Sequence, residues 1–570
     1  MKVLKGKSIA PGLATGRAFV CKARPAVAVP RYRLKPSEVE EEYRRFQRAV
    51  ESAAEDLRAV YSRVHADLGQ PEAEIFDAHL ALLFDKQFAI QVRTRIETDL
   101  VNIEHAVATE IDSLARVLQA ANDGYLSERA ADIRDVGERV LAHLVREPQV
   151  FLAGLEPQTV LVVEELLPSD TLKLDREHVV AIITERGGPT GHAAILARSM
   201  GIPAITAVEG ATGLIAPGTR VLVDGEQAEV TLLPTRQQRR RFDARLNRYQ
   251  HATEEAVDAE QLVCATSDGQ EISLQANIGR PEEAREVARH NLDGVGLFRT
   301  EFLFLDDPRP PDLDRQLQCY QDTCHILGER PLVIRTLDLG GDKHPAFLRG
   351  RTEANPNMGL RGLRFSLEAA RELFETQLRA IAQSAAHCDV RVMFPMVLAG
   401  DDFQQAAAIV REISASGLAG GKVIPVGAMI ETPSALFTID DILSEADFLS
   451  LGTNDLTQFM LAADRNATNV MADYSTLHPA VLRAIHQVVK AAAHHGKPLS
   501  VCGEAAGDPA IASLLVGLGI RSLSMSPGRA ARVRFQLRHR SLASLNELAW
   551  DALKCRSVQA VRELISSCLR

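Results

Sequence analysis

Apolar residues in the first part of the chain recur at helical intervals. Val39, Tyr43, Phe46, Val50, Leu57, Val60, Val64 and Leu68 follow one another at steps of three, four or seven, which lays them along one face of a long helix. Pro36-Ser37 opens that helix, with Ser37 and Glu40 spaced as a capping box. Helical patterning continues from Glu72 to about Val145, so residues 31–147 read as an all-helical insertion, and residues 1–30 ahead of it as short strands and turns. From Thr159 the pattern changes to short apolar runs, TVLVVEE, VVAIIT, AIT and RVLVD, each the length of a buried strand. Residues 1–30 and 148–233 therefore predict one α/β domain interrupted by helices. Pro234 ends it, and residues 234–262 predict a charged linker helix. Its Arg239-Arg240-Arg241 run reads as a solvated face, because Glu254, Glu255, Asp258 and Glu260 follow.

Residues 263–570 carry a second pattern. Eight short β-like runs alternate with helical stretches: ISLQAN (272–277), VGLFRT (295–300), LVIRTLD (332–338), RVMFPM (391–396), VIPVGAMIE (423–431), FLSLGT (448–453), LSVCGE (499–504) and IRSLSM (520–525). This alternation predicts a (β/α)8 TIM barrel, whose chemistry sits at the C-terminal strand ends. The fold class expected is therefore α/β, an N-terminal α/β domain with a helical insert, a linker helix and a barrel. The side chains at the strand ends are Asn277, Arg299, Arg335, Asp338, Glu431, Asn454, Asp455, Cys502 and Glu504.

Composition narrows the function classes. With 570 residues the length prior is roughly three to five domains, fewer if one is a large barrel. A net charge of −10 argues against a nucleic-acid partner. The eight cysteines form no CxxC pair, and Cys319, Cys324 and His325 lack a second ligand cluster that would complete a zinc site. Scattered, unpaired cysteines are the expectation, which fits a reducing cytosol. MKVLKGKSIAPG has no signal-peptide core. The longest apolar stretch, around Ile511 to Ile520, is too short to insert in a membrane. Gly6-Lys7-Ser8 is no P-loop, since Met1 stands where the first glycine is required.

Two places carry candidate chemistry. His192 closes the turn Gly187-Gly188-Pro189-Thr190-Gly191-His192, between the strand VVAIIT and the apolar helix AAILARSM, which Gly201 and Pro203 stop. Backbone N–H groups and a helix start there make an anion site and keep an imidazole neutral and nucleophilic; the plainer reading is a strand-to-helix turn with an incidental histidine. At the barrel end, Arg299 and Arg335 on adjacent strands, with Arg361 and Arg465 in later loops, favour an anionic substrate held by bidentate forks. Glu431 and Asp455 suit Mg²⁺, which takes one or two protein carboxylates, or they pair with the arginines. Cys502 is either buried packing or a proton donor. Together these residues suggest a phosphoryl relay from a small donor to a protein histidine.

Seven stretches sharpen this: GGPTGHAAILARSMGIPAI, GLFRTEFLF, RTLDLGGDK, NPNMGLRGLRF, ETPSA, LGTNDLTQFMLAADR and VCGEAAGD. On them the chain resembles, end to end, the phosphoenolpyruvate-protein phosphotransferases, Enzyme I of the bacterial sugar phosphotransferase system. The resemblance implies transfer of the phosphoryl group of phosphoenolpyruvate to His192 and then to the phosphocarrier protein HPr. It implies phosphoenolpyruvate binding by Arg299, Arg335, Asn454 and Arg465, with Mg²⁺ held by Glu431 and Asp455, the latter also close to substrate. It also implies protonation of C3 of the enolate by Cys502. Thr171 would orient the histidine ring, and the region Ile75-Phe76-Asp77-Ala78-His79 would dock HPr, with His79 structural. A cytoplasmic homodimer joined through the barrel is implied too. The alternative is a paralogue serving a regulatory or dihydroxyacetone relay. A pyruvate phosphate dikinase relative would need an ATP-binding domain, for which residues 1–150 are too short and too helical. The family's histidine loop commonly has Ser where Gly191 stands and often a charge where Pro189 stands, a difference bearing on rate and carrier choice.

Overall fold

The computed structural model describes residues 2–21, 29–67, 76, 79–120, 124–145, 155–167, 170, 174, 178–187, 197, 200–305, 309–339, 355, 357–463 and 474–569. His192, Arg465, Thr171, Pro189 and Gly191 lie outside the described residues. The chain forms two compact units, Met1–Gln250 and His251–Arg570.

The first unit is built on an eight-stranded sheet. Its strands are β1 (Lys2–Lys5), β2 (Lys7–Ala10), β3 (Leu13–Cys21), β4 (Thr159–Val163), β5 (Val179–Thr184), β6 (Ala204–Thr206), β7 (Arg220–Asp224) and β8 (Glu229–Leu232), in the order β1-β8-β7-β3-β4-β5-β6-β2. The centre, β3-β4-β5-β6, is parallel and the flanks are antiparallel. Both faces are covered. Val160, Val162, Ala181 and Ile183 pack to one side, Leu161, Val163, Ile182 and Ala204 to the other. That is why these strands read as continuous apolar runs instead of alternating ones.

The insertion is the predicted helical bundle: α1 (Val39–Asp67), α2 (Lys86–Asp99), α3 (Ile103–Ala120) and α4 (Gly124–Val145). Phe46, Val50 and Leu57 of the expected stripe are buried, and Val39, Tyr43 and Val60 pack at the margin of the same core. Val64 and Leu68 lie outside the described side chains. The helix start differs from expectation. A 3-10 turn, Pro36–Glu38, precedes α1, and Glu38 Oε2 accepts the Lys35 N–H at 2.8 Å. The cap is thus two residues earlier than Ser37 and Glu40, because Pro36 occupies the first helical position and shifts the cap to Lys35. Phe76 and His79 are wholly buried, with His79 Nε2 3.3 Å from Asp132 Oδ1. Neither side chain offers a docking surface; Ile75, Asp77 and Ala78 lie outside the described residues. Residues Arg236–Asp258 form the charged helix α5.

The second unit is a closed barrel. Its strands, β9 (Ser273–Ile278), β10 (Val295–Arg299), β11 (Leu332–Arg335), β12 (Val390–Phe394), β13 (Val426–Ile430), β14 (Phe448–Leu451), β15 (Leu499–Val501) and β16 (Ser522–Met525), are all parallel and close β16 onto β9. Each overlaps one of the eight predicted runs; Ile278 of β9 and Val390 of β12 fall one residue outside theirs, and the other ends differ by no more than three residues. Ile334, Phe394, Ile430, Leu449, Leu451, Val501 and Leu523 point outward into the core shared with the helices. By alternation their neighbours face the barrel axis.

One expectation about the cysteines is corrected. Cys324, in the helix Leu313–Leu327, is disulfide-bonded to Cys388, just before β12. The two are 64 residues apart in sequence, and only the packing of barrel helices brings them together, so no spacing rule signals the pair.

Candidate active site

The outward-pointing Ile334, Ile430 and Val501 fix the direction of the residue that follows each of them, Arg335 at the end of β11 and Glu431 and Cys502 just past β13 and β15. Arg335, Glu431 and Cys502 follow an outward apolar residue and therefore turn toward the axis at the C-terminal mouth. All three are buried, as are Asp338, Arg361 and Asp455. Arg299 and Asn454 are half-buried.

The charges interlock. The Arg361 guanidinium straddles Asp338, with Nε and Nη2 each 3.2 Å from a carboxylate oxygen, and its Nη1 donates to Asp455 Oδ1 at 3.1 Å. Arg335 donates to the wholly buried Glu301, and its Nη1 lies 3.4 Å from Asp338 Oδ2. Burial alone would lower the Arg361 pKa, but the Asp338 and Asp455 carboxylates outweigh it and hold the group firmly protonated. Asp338 thus bridges both arginines. Glu301 is a site residue the sequence reasoning did not single out; the signal available was its place two residues after Arg299, at a strand end.

Glu431 is different. Its Oε1 accepts the Met396 N–H at 2.7 Å. Burial, then the neighbouring Asp455 and Asp338 carboxylates, push its pKa up to about 8, against the pull of Arg335 and Arg361. Met396 makes this bond from a left-handed backbone, φ +52°, which for a non-glycine residue costs about 1–2 kcal/mol. Gly452 lies opposite: a β-carbon there would stand 2.5 Å from Glu431 Oε2. So of the two carboxylates expected either to hold a metal or to pair with arginines, Asp455 pairs with Arg361, whereas Glu431 is held by a backbone amide. Among the described residues no three metal-ligating side chains converge on one point; two carboxylates suffice for Mg²⁺, which fills its shell with substrate oxygens and water.

Cys502 Sγ lies 3.6 Å from the Leu451 carbonyl oxygen. Its backbone carbonyl accepts from Asn277 Nδ2 at 2.9 Å, and Ser524 Oγ donates to Asn277 Oδ1 at 2.6 Å. Burial pushes the thiol up to about 11, offset in part by a hydrogen bond from Ser450. Asn454 Oδ1 accepts the Glu504 N–H at 3.2 Å, tying the loop after β14 to the loop after β15.

In the first unit, the end of β5 is pinned before the glycine turn. Thr184 Oγ1 donates to Thr206 Oγ1 at 2.8 Å, and Thr206 Oγ1 donates to the Gly187 carbonyl at 2.8 Å. Gly187 itself has φ +109°, a conformation that favours glycine. Glu185 Oε1 accepts both the N–H and the hydroxyl of Thr212 at 2.6 Å.

The chain that carries this barrel mouth is similar to known proteins over nearly its whole length. Residues 253–542 match the model of the PEP-utilising enzyme PEP-binding domain, residues 5–129 that of the PEP-utilising enzyme N-terminal domain, and residues 155–228 that of the PEP-utilising enzyme mobile domain. The phosphoenolpyruvate-protein phosphotransferase of Priestia megaterium is 35% identical over 570 residues, 99% of each chain. The chain belongs to the phosphoenolpyruvate-protein phosphotransferase family. Relatives of the same name in Enterococcus faecalis (35% over 571 residues, 99% of each chain) and Bacillus subtilis (36% over 541 residues, 94% of each chain) agree. As a phosphoenolpyruvate-protein phosphotransferase family member the chain is an enzyme, a transferase. None of the helices among the described residues is long and apolar enough to cross a membrane.

Proposed function

We propose that this enzyme takes the phosphoryl group of phosphoenolpyruvate onto His192 and passes it to HPr, the first step of the sugar phosphotransferase relay. In this reading residues 1–30 and 148–233 are the phosphohistidine domain, 31–147 the HPr-docking subdomain, 234–262 the linker helix and 263–570 the phosphoenolpyruvate-binding barrel. The enzyme is a cytoplasmic homodimer joined through the barrel. The observation that carries the reading is the gathering of two buried arginines, Glu431, Asp455 and a neutral Cys502 at one barrel mouth, in a chain of this family.

Arg299, Arg335, Asn454 and Arg465 bind the phosphate and carboxylate of the substrate. Glu301 and Asp338 hold the Arg335 fork in place, so less side-chain freedom is lost when an anion binds. Glu431 and Asp455 hold Mg²⁺. The donor set fits: burial and carboxylate repulsion keep Glu431 up at about 8, and a divalent cation would relieve both. When bound, it neutralises charge on the transferring phosphoryl oxygens. Cys502, kept a thiol at neutral pH by burial, retains the proton that C3 of the enolate needs. Thr206 and Thr184 fix the strand end from which the His192 turn starts.

Radiolabelled phosphoenolpyruvate tests the relay. With Mg²⁺ the purified chain acquires label, and added HPr removes it. Label that stays on the chain after HPr is added contradicts the second transfer.

A further inference from the structure

Arg299 and Arg335 stand in register, as partners at the ends of β10 and β11. Phe298 and Ile334 before them both pack into the outer core, so both arginines turn toward the barrel axis. The ladder between the two strands does not by itself guarantee this register. It slips by one residue lower down, where Val295 pairs with Leu332 but Phe298 with Ile334. In the lower register Arg299 would pair with Thr336 instead, and a slip of one residue exchanges the faces on which side chains meet. Bonds beyond the strand ends have to hold the upper register.

Gln377 makes such bonds. It lies on the inner face of the helix Arg371–Ala385, among Phe374, Leu378 and Ile381 of the core. A buried amide costs free energy unless its groups are hydrogen-bonded, and a leucine there would serve packing alone at less cost. Ser384 on the same face donates to the Ala380 carbonyl of its own helix at 3.0 Å. Gln377 instead reaches out of its helix to three partners. Its Oε1 accepts the Leu337 N–H at 2.9 Å, one residue past the Thr336 N–H, which donates to the Met393 carbonyl of β12 at 2.9 Å. Its Nε2 donates to Thr300 Oγ1 and to the Tyr320 hydroxyl, each at 3.2 Å. Thr300 Oγ1 in turn donates to the Arg335 carbonyl at 3.0 Å. Tyr320 stands edge-on to Phe298, with ring centroids 6.0 Å apart. Gln377, Thr300 and Tyr320 are all wholly buried.

We propose that Gln377 is a positioning residue that sets Arg299 and Arg335 at the spacing the anionic substrate requires. The inference rests on the assignment of those arginines to phosphoenolpyruvate. Thr300 lies between Arg299 and Glu301, the carboxylate to which Arg335 donates. Leu337 immediately precedes Asp338, which also meets Arg335. By holding Thr300 and Leu337, one amide group ties together the backbone that carries all four charged side chains. Gln377 acts only through that backbone. Two guanidinium forks held at a fixed separation lose less freedom when they close on one anion, and a small misplacement of either is felt in binding.

Steady-state pyruvate formation by the full-length enzyme, with Mg²⁺ and with HPr as acceptor, tests the inference. Gln377→Met keeps the volume and removes the three bonds. Its KM for phosphoenolpyruvate should rise by about tenfold, with kcat within about threefold of the parent, because binding is lost equally from ground state and transition state. A role in stability alone lowers the folded fraction, which reduces kcat and leaves KM in place. Thr300→Val removes only the hydroxyl that joins Gln377 to the Arg335 carbonyl, and it decides the question if Gln377→Met does not fold. It should raise the same KM, and Thr300→Ser should bring it back to within about twofold of the parent. An unchanged KM in Thr300→Val, a raised KM that Thr300→Ser does not restore, or a fall in kcat alone in folded Gln377→Met overturns the inference. Arg335→Met separates it from the reading beneath it. If Arg335→Met leaves the KM for phosphoenolpyruvate unchanged, the substrate assignment fails and the inference falls with it. If Arg335→Met raises that KM and Thr300→Val does not, only the inference fails.

Discussion

Gly452 leaves the space that Glu431 occupies: any β-carbon at 452 would lie 2.5 Å from Glu431 Oε2 and 3.0 Å from its Cβ. The backbone there, φ −87°, suits any residue, so the demand for glycine is one of clearance. Gly452→Ala therefore forces Glu431 away from the Met396 N–H, at a cost of about 1–3 kcal/mol in packing. We expect a fall in phosphoenolpyruvate turnover of at least about tenfold, with a higher Mg²⁺ requirement, because a 1 Å misplacement of a positioning group is felt strongly. Unchanged Mg²⁺ dependence in a turnover assay would show that Glu431 has no part in holding the ion.

Arg361 joins Asp338 to Asp455 across the mouth. Removing it leaves two buried carboxylates without their shared cation. Arg361→Met should lower unfolding free energy by about 3–5 kcal/mol, the usual penalty for breaking a buried pair. Arg361→Lys should recover only part, since an ammonium cannot span both oxygens of Asp338 and still reach Asp455. Denaturant unfolding of the three proteins measures this. Equal stability of the methionine variant and the parent would mean that the carboxylates find other compensation.

The Cys502 thiol has its pKa pushed by burial from 9.0 to about 11. A raised native pKa favours the protonated form in the folded state, so the associated stability is fully present below about pH 9 and is lost as the pH rises through about 11. Alkylation, which needs the thiolate, should accordingly be slow at neutral pH and keep climbing beyond pH 9. The measurement is the rate of Cys502 modification by iodoacetamide against pH, read by peptide mass. A plateau at or below pH 9 would contradict the buried, neutral thiol.

The sequence patterns that proved legible are those written in a short period. The barrel strands stand out because each is a short apolar run bounded by turn residues, and a polar residue closes it at the same end, as in Val426–Ile430 followed by Glu431. The α1 stripe is legible for the same reason. What the sequence does not disclose is pairing across the fold. That Arg361 reaches Asp455, 94 positions away, and that Asp338 serves two arginines, depends on how loops meet at the barrel mouth. The Cys324–Cys388 bond and the burial of Glu301 belong to the same class. The cap at Lys35 is not legible for a local reason: Pro36 and Ser37 both qualify as helix openers, and only the backbone chooses between them.

His192 is the residue on which the proposed phosphoryl transfer turns. Purified enzyme incubated with labelled phosphoenolpyruvate and Mg²⁺ should carry one phosphoryl group per chain, stable in alkali and lost in acid as a phosphoramidate is. Peptide mapping should place it at His192, and His192→Ala should carry none while still folding. Label on the His192→Ala chain, or label mapped to another residue, would contradict the account.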